Sequence, residues 1–363
     1  MRLIIIACLT ALLLPVLGIM GYNYYVDPYQ YYRKWSGAEP IFSTDGRRQN
    51  PGLIKHYDFD TPIIGTSRSQ NFTPEMFEGS GWQPIKLTAS GSGSYVHAWT
   101  LRQALESGKV ERAIIELAPT AYQFGPTYTR QGKTLPEFLY QPTVETPFLY
   151  LLSIDLLKKS RRIMAGKDRS SSLGEINVWQ HRYQDAFGEN RYLADISFDC
   201  RPLDDIAPSW RGTYPQMDEA LEANLESVLQ DHADIEFLGF LPPYPVSWFG
   251  KVSEPHRRMR FGFRQRVYEL AARHPNLRLF DFELVQGIVD DPARYKDFNH
   301  YDQATNAMMA RSFIDGEWEV SGDDPTEGNR RLKQLTDAFD WHRWTSCDQR
   351  NSKLDMVSSR SEG

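Results

Sequence analysis

Cysteine is scarce in this chain of 363 residues, which contains only three. Cys8 lies in an apolar stretch near the N-terminus, so Cys200 and Cys347 are the only two that could pair outside that stretch. Two cysteines do not establish a disulfide, and two unrelated free thiols fit the sequence equally well. The pairing of Cys200 with Cys347 is therefore left open.

An excess of basic residues is also absent. The formal net charge is −6, because 41 lysines and arginines stand against 47 aspartates and glutamates. Bulk electrostatics therefore give no reason to expect a nucleic-acid partner. The chain has no internal repeat or low-complexity tract, and with 41% apolar residues it is long enough to bury a full core.

The longest apolar run covers residues 3–20, which is at the lower limit for a membrane span and longer than the usual core of a signal peptide. No small-x-small cleavage motif follows it. We expect an uncleaved single-pass anchor over residues 1–21, with a cleaved signal peptide as the alternative. Arg2 precedes the run and Asp27 is the first charge after it, which favours an anchor in the cytoplasmic membrane with an extracytoplasmic, periplasmic body.

Strand-like and helix-like patterns alternate through most of the body. Short apolar runs predict five strands, at residues 61–65, 85–89, 112–118, 235–241 and 277–282. Helical periodicity predicts helices at residues 95–106, 217–229, 263–271 and 303–313. This alternation predicts an α/β fold with a five-stranded parallel sheet covered on both faces. Such sheets bind ligands beyond the carboxyl ends of their strands.

The same patterns divide the chain into segments. A juxtamembrane segment, 22–57, follows the anchor, and the α/β domain is predicted in two parts, 58–121 and 215–320. Residues 122–214 interrupt the alternation and are interpreted as an insertion that forms a cap or a partner-binding lobe. Residues 321–363 form a polar C-terminal tail whose last dozen residues are predicted to be disordered.

Two segments far apart in the chain carry the residue types of nucleophilic catalysis. The first strand runs into Gly65-Thr66-Ser67, whereas Asp297 and His300 follow the fifth strand, three residues apart. A serine hydroxyl is a poor nucleophile until a base takes its proton, and a carboxylate orients that base. Each motif alone is common in turns and helix caps. Their positions after strands of one sheet predict a triad of Ser67, His300 and Asp297.

At these motifs the chain resembles the SGNH (GDSL-type) hydrolase superfamily. Gly65-Thr-Ser-Arg68 is similar to its first block, usually Gly-Asp-Ser-Leu, and Asp297-Phe-Asn-His300 is similar to its last block, Asp-x-x-His. Leu87-Thr-Ala-Ser-Gly-Ser-Gly93 stands where the family carries its glycine block. The resemblance covers residues 58–314 without the insertion.

Within that superfamily the chain is most similar to the membrane-anchored, extracytoplasmic branch related to the D-alanine transfer protein of teichoic acids and to alginate O-acetylation proteins. The juxtamembrane Val26-Asp-Pro-Tyr29 and the Gly-Thr-Ser-Arg-Ser form of the first block carry this similarity. The resemblance implies a three-layer, flavodoxin-like α/β/α domain and a membrane-bound acyltransferase as partner.

The resemblance also assigns roles. Ser67 is the expected nucleophile, His300 the base and Asp297 the acid that orients it. The backbone N–H groups of Ser67 and Gly91 are the expected oxyanion hole, with Gly93 as a less favoured alternative to Gly91. One departure stands out, because the third block, usually Gly-x-Asn-Asp, reads Glu-Leu-Ala-Pro-Thr here, at residues 116–120. Loss of one oxyanion donor typically lowers a rate by about 10²–10³-fold.

The expected function is that of a serine-dependent acyl-ester enzyme, an esterase or O-acetyltransferase, acting on a cell-envelope or exported polysaccharide or an acyl-sugar. No cofactor and no metal are expected. The alternative is a non-catalytic scaffold or polysaccharide-binding subunit that keeps the SGNH fold. Fold alone does not fix the acceptor of the acyl group.

Three charged clusters have simpler explanations than ligand binding. The first consists of the acidic residues and the histidine around the last block: Asp290, Asp291, Asp297, His300 and Asp302. They could be ligands of a metal site, but solvated loop residues are the favoured interpretation. The second consists of arginines that are predicted to form a solvated helix face: Arg257, Arg258, Arg260, Arg264 and Arg266. The third is Lys158-Lys-Ser-Arg-Arg162. It either contacts anionic lipid headgroups or is exposed to solvent, and exposure to solvent is the favoured interpretation.

Overall fold

The computed structural model describes residues 1–35, 41–130, 133–170, 172–188, 214–251, 254–322 and 324–339. Cys200, Cys347 and the predicted disordered end of the tail lie outside these ranges. The described chain has an α/β fold with a five-stranded parallel sheet, as the alternation of patterns predicts. Its strands are β1 (Phe42–Ser43), β2 (Thr61–Ile64), β3 (Pro84–Lys86), β4 (Arg112–Glu116), β5 (Arg169–Ser170), β6 (Glu236–Leu241) and β7 (Leu277–Asp281).

The five-stranded sheet has the order β3-β2-β4-β6-β7, and β1 pairs with β5 in a separate antiparallel ribbon. In the sheet, Thr61 pairs with Pro84 and Phe237 pairs with Leu277. The strand order reverses at β2, which makes the carboxyl end of β2 the topological switch point where open α/β sheets bind ligands. Each of the five strands agrees with its predicted apolar run to within a few residues.

The helices also follow the predicted alternation, and several more lie outside it. They are α1 (Arg2–Val26), α2 (Gly46–His56), α3 (Ser94–Glu106), α4 (Pro119–Tyr122), α5 (Glu137–Tyr140), α6 (Thr146–Leu151), α7 (Ile154–Met164), α8 (Pro215–Leu221), α9 (Ser227–Asp231), α10 (Trp248–Lys251), α11 (Glu254–Arg273), α12 (Gln303–Asp315) and α13 (Pro325–Asp337). A wider helical turn, Glu222–Glu226, joins α8 to α9. The segment interpreted as a polar tail begins with α13, and its Leu332 is buried.

Helix α1 is the apolar N-terminal segment. At 25 residues and about 1.5 Å per residue, it is long and apolar enough to cross a membrane. Its last turn differs from the rest, because Asn23 and Val26 are buried against the folded body while most of the helix is exposed. Asp27 ends the helix in a left-handed conformation, with φ of 40°.

The described chain divides into two compact units. The first contains Met1–Ala113 and Thr127–Val178, and the second contains Ile114–Pro126 and the chain from Trp179 onward. The region interpreted as an insertion is therefore shared, since α5–α7 belong to the first unit and the residues after Val178 to the second.

Three of the five arginines that the sequence predicts on a solvated face of α11 do not lie there, whereas Arg258 is exposed. Arg260 and Arg264 are fully buried, and Arg257 is nearly so. Arg264 binds both carboxylate oxygens of Asp281, at 3.0 and 2.6 Å, and also Glu283, which in turn binds Arg260. The sequence prediction was wrong because the end of β7 supplies two buried carboxylates that a pattern of arginines alone does not reveal. These ion pairs connect α11 to the end of β7.

Candidate functional site

The nucleophile candidate Ser67 lies directly beyond β2. Thr66 is extended, and Ser67 opens a single 3₁₀ turn in which the Gln70 N–H donates to the Ser67 carbonyl oxygen at 3.3 Å. Ser67 is half-buried, whereas Thr66 and Arg68 on either side are buried. The turn therefore presents a hydroxyl residue at the end of the strand where the sheet order reverses.

Lys86 supports this turn from the neighbouring strand β3. Its ammonium is buried and donates to the carbonyl oxygen of Gln70 at 2.9 Å. Burial lowers the pKa of Lys86 to about 7, although the charges of Glu175 and Glu75 partly oppose this shift. The sequence gives no signal for this contact, because a lysine within a short strand is more often solvated.

The glycine block follows β3 and is hydrogen-bonded to the serine segment. The Ala89 N–H donates to the Gly65 carbonyl oxygen at 2.9 Å, so the backbones that lead to Ser67 and Gly91 lie side by side. Gly91 has φ of 59°, a left-handed conformation that favours glycine, and it is exposed. A Cβ at Gly91 would come within 2.5 Å of a guanidinium nitrogen of Arg130.

The two glycines of this block have different tasks. The Gly93 N–H donates to the Thr129 carbonyl oxygen at 2.9 Å, and a Cβ at Gly93 would lie 2.0 Å from the Tyr128 carbonyl oxygen. Gly93 is thus required for close packing, and its N–H is already engaged, which excludes it as an oxyanion donor. Among the residues that the structure describes, the Gly91 N–H donates to no protein acceptor. Gly91 is the better candidate of the two.

A buried histidine that no motif indicates holds the same loop. The Ser92 hydroxyl donates to the Ala89 carbonyl oxygen at 2.7 Å, and His97 Nε2 lies 2.8 Å from the Ser92 oxygen. Because the hydroxyl proton is directed to the carbonyl, Nε2 donates to Ser92 and the pair does not activate a nucleophile. His97 instead fixes the loop that carries Gly91. The sequence indicates only that His97 lies near the start of a predicted helix, and it does not indicate the contact with Ser92.

Asp297 and His300 form a compact acid–imidazole pair. His300 Nδ1 lies 2.8 Å from both carboxylate oxygens of Asp297. Asp297 Oδ1 also accepts from the N–H groups of Asn299, at 2.8 Å, and of His300, at 3.0 Å. With Nδ1 held by the carboxylate, Nε2 is the nitrogen that can take a proton from a nucleophile. The spacing of three residues thus gives the geometry that the sequence predicts.

Two aromatic residues and a lysine surround this pair. The rings of Trp179 and His300 meet edge to face, with centroids 5.3 Å apart. Lys296 places its ammonium 3.5 Å from Asp297 Oδ2 and above the ring of Tyr183, 4.3 Å from its centroid. The sequence patterns do not indicate Trp179, Tyr183 or Lys296, because two of them lie more than a hundred positions before the histidine.

The charge on Asp297 is well stabilised. Partial burial opposes ionisation, but the hydrogen bond and charge of His300, the Asn299 N–H and Lys296 together outweigh it and lower the pKa of Asp297 to about 2. Asp297 therefore remains a carboxylate through the neutral range. A permanent carboxylate can hold one histidine tautomer and stabilise an imidazolium.

The third block contains no asparagine, and one of its backbone donors is already engaged. Glu116 ends β4 fully buried, and Thr120 is an exposed residue of the short helix α4. The Leu117 N–H between them is already used, since it donates to the Phe240 carbonyl oxygen at 2.8 Å. The third block therefore lacks the asparagine of the family, and its Leu117 N–H is used in the sheet.

The acidic residues near the last block serve the backbone. Asp290 accepts from the Gly287 N–H, Asp291 from the Ala293 N–H, and Asp302 caps α12 by accepting from Thr305. Within the described ranges, no group of three or more histidines, cysteines and carboxylates is placed to hold a metal ion. Short-range turns and caps account for these carboxylates.

The structure thus brings the predicted residues together in two pairs. Asp297 and His300 are in direct hydrogen-bond contact in the second unit, whereas Ser67 and Gly91 lie on bonded neighbouring segments in the first unit. The first pair joins a carboxylate to an imidazole, and the second places a hydroxyl residue beside a backbone N–H donor. No family model matches the chain, and no curated protein matches it.

Proposed function

We propose that this protein is a serine-dependent acyl-ester enzyme of the SGNH type. The observation that carries the proposal is the Asp297–His300 pair, in which one imidazole nitrogen faces a carboxylate that stays ionised. A carboxylate–imidazole pair of this geometry is what a serine hydrolase uses to prepare its base. The position of Ser67 at the topological switch point adds support.

In the proposed reaction, His300 Nε2 takes the proton of the Ser67 hydroxyl as its oxygen attacks the ester carbonyl. The N–H groups of Ser67 and Gly91 donate to the resulting oxyanion. Collapse of this intermediate breaks the ester bond, His300 returns the proton to the leaving alcohol, and the acyl group stays on Ser67. A water molecule or a sugar hydroxyl then attacks the acyl-serine with His300 again acting as base.

The proposed substrate is a small acyl ester of an envelope or exported polysaccharide, and the proposed location of the domain is extracytoplasmic. The helix α1 supports attachment to a membrane, and the resemblance to the polysaccharide O-acetylation branch supports the substrate class. A membrane-bound acyltransferase is the partner that would supply the acyl group in this scheme.

The proposal is tested by labelling the full-length protein with a serine-directed fluorophosphonate. The wild-type protein should be labelled, and Ser67→Ala should abolish the labelling, because the probe bonds to an activated serine oxygen. Ser90→Ala is the matched control, since Ser90 is an exposed serine of the glycine block whose carbonyl, not its side chain, accepts from Arg130. A folded wild-type protein that takes up no label, or unchanged labelling of Ser67→Ala, would overturn the proposal.

A second candidate function is a non-catalytic scaffold that keeps the fold and binds polysaccharide. The observation in its favour is the third block, in which buried Glu116 and the engaged Leu117 N–H stand where the family supplies an oxyanion donor. Polysaccharide binding that persists in Ser67→Ala, together with the absence of labelling in the wild type, would support the scaffold over the enzyme.

A further inference from the structure

Exposed apolar side chains are concentrated in one stretch of the first unit. In the described part of the chain after α1, eight large apolar side chains are exposed, and six of them lie between residues 144 and 164. They are Val144, Phe148, Leu149, Leu152, Ile154 and Met164. A concentration of exposed apolar side chains in one stretch of chain indicates an interaction site more strongly than single scattered ones do.

This surface is fixed to the end of α1. Asn23, in the last turn of α1, donates to the Leu151 carbonyl oxygen at 2.9 Å, and its own side-chain oxygen accepts from Ser160 at 3.1 Å. The Tyr150 hydroxyl donates to Asp27 Oδ1 at 2.9 Å. Helices α6 and α7 therefore lie at the level where α1 ends. With α1 inserted in a bilayer, this is the level of the lipid headgroups.

Helix α7 has two distinct faces. Leu156, Ser160 and Ile163 are buried against the body. The exposed side carries Lys158 and Arg161, and Ile154, which is 65% exposed, lies in the first turn. Met164, which is 49% exposed, is the last residue of the helix, so an exposed apolar residue stands at each end of a basic surface. Such a combination of apolar and basic residues suits contact with the headgroup region of a membrane.

The charge of the same region complements an anionic surface. Residues 154–170 contain six lysines and arginines and two aspartates, although the whole chain has a net charge of −6. Arg162 and Lys159 face Asp168, and Lys158 lies 3.6 Å from Asp155. Lys158 and Arg161 are both exposed on α7. Basic side chains beside exposed apolar residues allow the stems to remain in the apolar region while the charges reach phosphate groups.

A small cavity at the end of α1 adds an independent observation. It has a volume of about 170 Å³ and is lined in part by Tyr25, Arg33 and Lys34. Arg33 donates through Nη2 to the Tyr25 carbonyl oxygen at 2.7 Å, but its Nη1 is buried and has no acceptor among the described residues. A buried guanidinium nitrogen without an acceptor is costly, and an anionic oxygen would satisfy it.

We propose that α6 and α7 form a second membrane contact, which holds the first unit against a bilayer that contains anionic lipids. Ile154, Leu149 and Met164 enter the interface between headgroups and acyl chains, and Lys158 and Arg161 bind lipid phosphates. The body is then seated on the membrane rather than suspended from a flexible tether. This contact goes beyond the acyl-ester proposal and does not depend on it.

The test uses the full-length protein in nanodiscs. Cys8, Cys200 and Cys347 are replaced by serine, and a single cysteine is introduced by Ile154→Cys and labelled with an environment-sensitive fluorophore. Glu106→Cys, at an exposed position in α3 of the same unit, is the matched control. We expect blue-shifted emission and quenching by spin-labelled lipid for the Ile154 site, and neither effect for the Glu106 site. A solvent-like Ile154 site would overturn the proposal.

Two further measurements identify what covers the surface. A blue-shifted Ile154 site that spin-labelled lipid does not quench would mean that a protein partner or a second copy covers it, and the proposal would fail. In discs with phosphatidylglycerol, the double variant Lys158→Gln, Arg161→Gln should lower the equilibrium constant for membrane contact at the Ile154 site about fivefold for each charge removed. The double variant should behave as the parent in phosphatidylcholine discs. Equal weakening in both discs, or none in either, would contradict the role of anionic lipid.

Discussion

Two acid–cation pairs of the second unit differ in burial and in the groups that form them. Arg264 and Asp281 are completely buried, and they form an ion pair that connects α11 to β7. Asp297 and His300 are partly exposed, and they join a carboxylate to an imidazole. A fully buried ion pair holds the fold together, whereas a partly exposed carboxylate–imidazole pair is suited to chemistry.

Within the Arg264 pair, neighbouring charges decide whether burial suppresses ionisation. Burial alone disfavours the guanidinium, but Asp281 and Glu283 outweigh this effect and raise the pKa of Arg264. Lys86 is also buried, yet its direct partner is the neutral carbonyl of Gln70, and its pKa falls. The difference is the presence of carboxylates in direct contact.

The largest expected effect is a loss of reaction rate, with little loss of stability, when the Asp297–His300 pair is altered. Asp297→Asn should lower the rate of acyl transfer from an activated ester by about 10⁴-fold, because the amide favours the wrong histidine tautomer. The same change should alter the free energy of unfolding by less than about 1 kcal/mol, since the pair is partly solvated. Steady-state rates and urea unfolding measure the two quantities.

Asp291→Asn is the control for this experiment, because Asp291 is a comparably exposed aspartate that caps a backbone N–H. It should keep the wild-type rate. A rate for Asp297→Asn within tenfold of wild type would show that the pair is not the prepared base of an enzyme.

The next effect concerns the buried pair. Arg264→Met should destabilise the fold by about 3–5 kcal/mol, because it leaves Asp281 buried without a cation and Glu283 with Arg260 alone. Arg311→Met, which removes an exposed arginine of α12, should change stability by less than about 0.5 kcal/mol. Urea unfolding midpoints provide the comparison, and a loss below 1 kcal/mol for Arg264→Met would contradict the structural role assigned to this pair.

A buried cation without a carboxylate in direct contact should make the free energy of unfolding depend on pH. Folded Lys86 has a pKa of about 7, below its unfolded value, so between about pH 7 and pH 10 the unfolded state binds more protons. Stability should therefore rise with pH in this window, by up to about 1.4 kcal/mol per unit. Lys86→Met should remove this rise, and an identical pH profile in the variant would exclude Lys86 as its source.

The sequence predicts the five strands and the Asp297–His300 pair because both depend on short-range patterns. Apolar runs specify the strands, and a spacing of three residues suffices to place a carboxylate beside an imidazole. It does not predict His97, Lys86 or Trp179, whose roles come from contacts between elements that the fold brings together. The burial of Arg260 and Arg264 was mispredicted for the same reason, since their carboxylate partners lie on another element.

The smallest expected effect lies in the acid range and concerns Asp297. Its folded pKa of about 2 is below the unfolded value, so its stabilising contribution is present above about pH 4 and is lost as pH falls toward 2. Solvent screening of this partly exposed pair reduces the contribution to about 1 kcal/mol. Urea unfolding of wild type and Asp297→Asn between pH 5 and pH 2 should therefore show two curves that converge on acidification. Parallel curves would mean that the His300–Asp297 contact contributes no pH-dependent stability, and the contrast with the Arg264–Asp281 pair would then rest on burial alone.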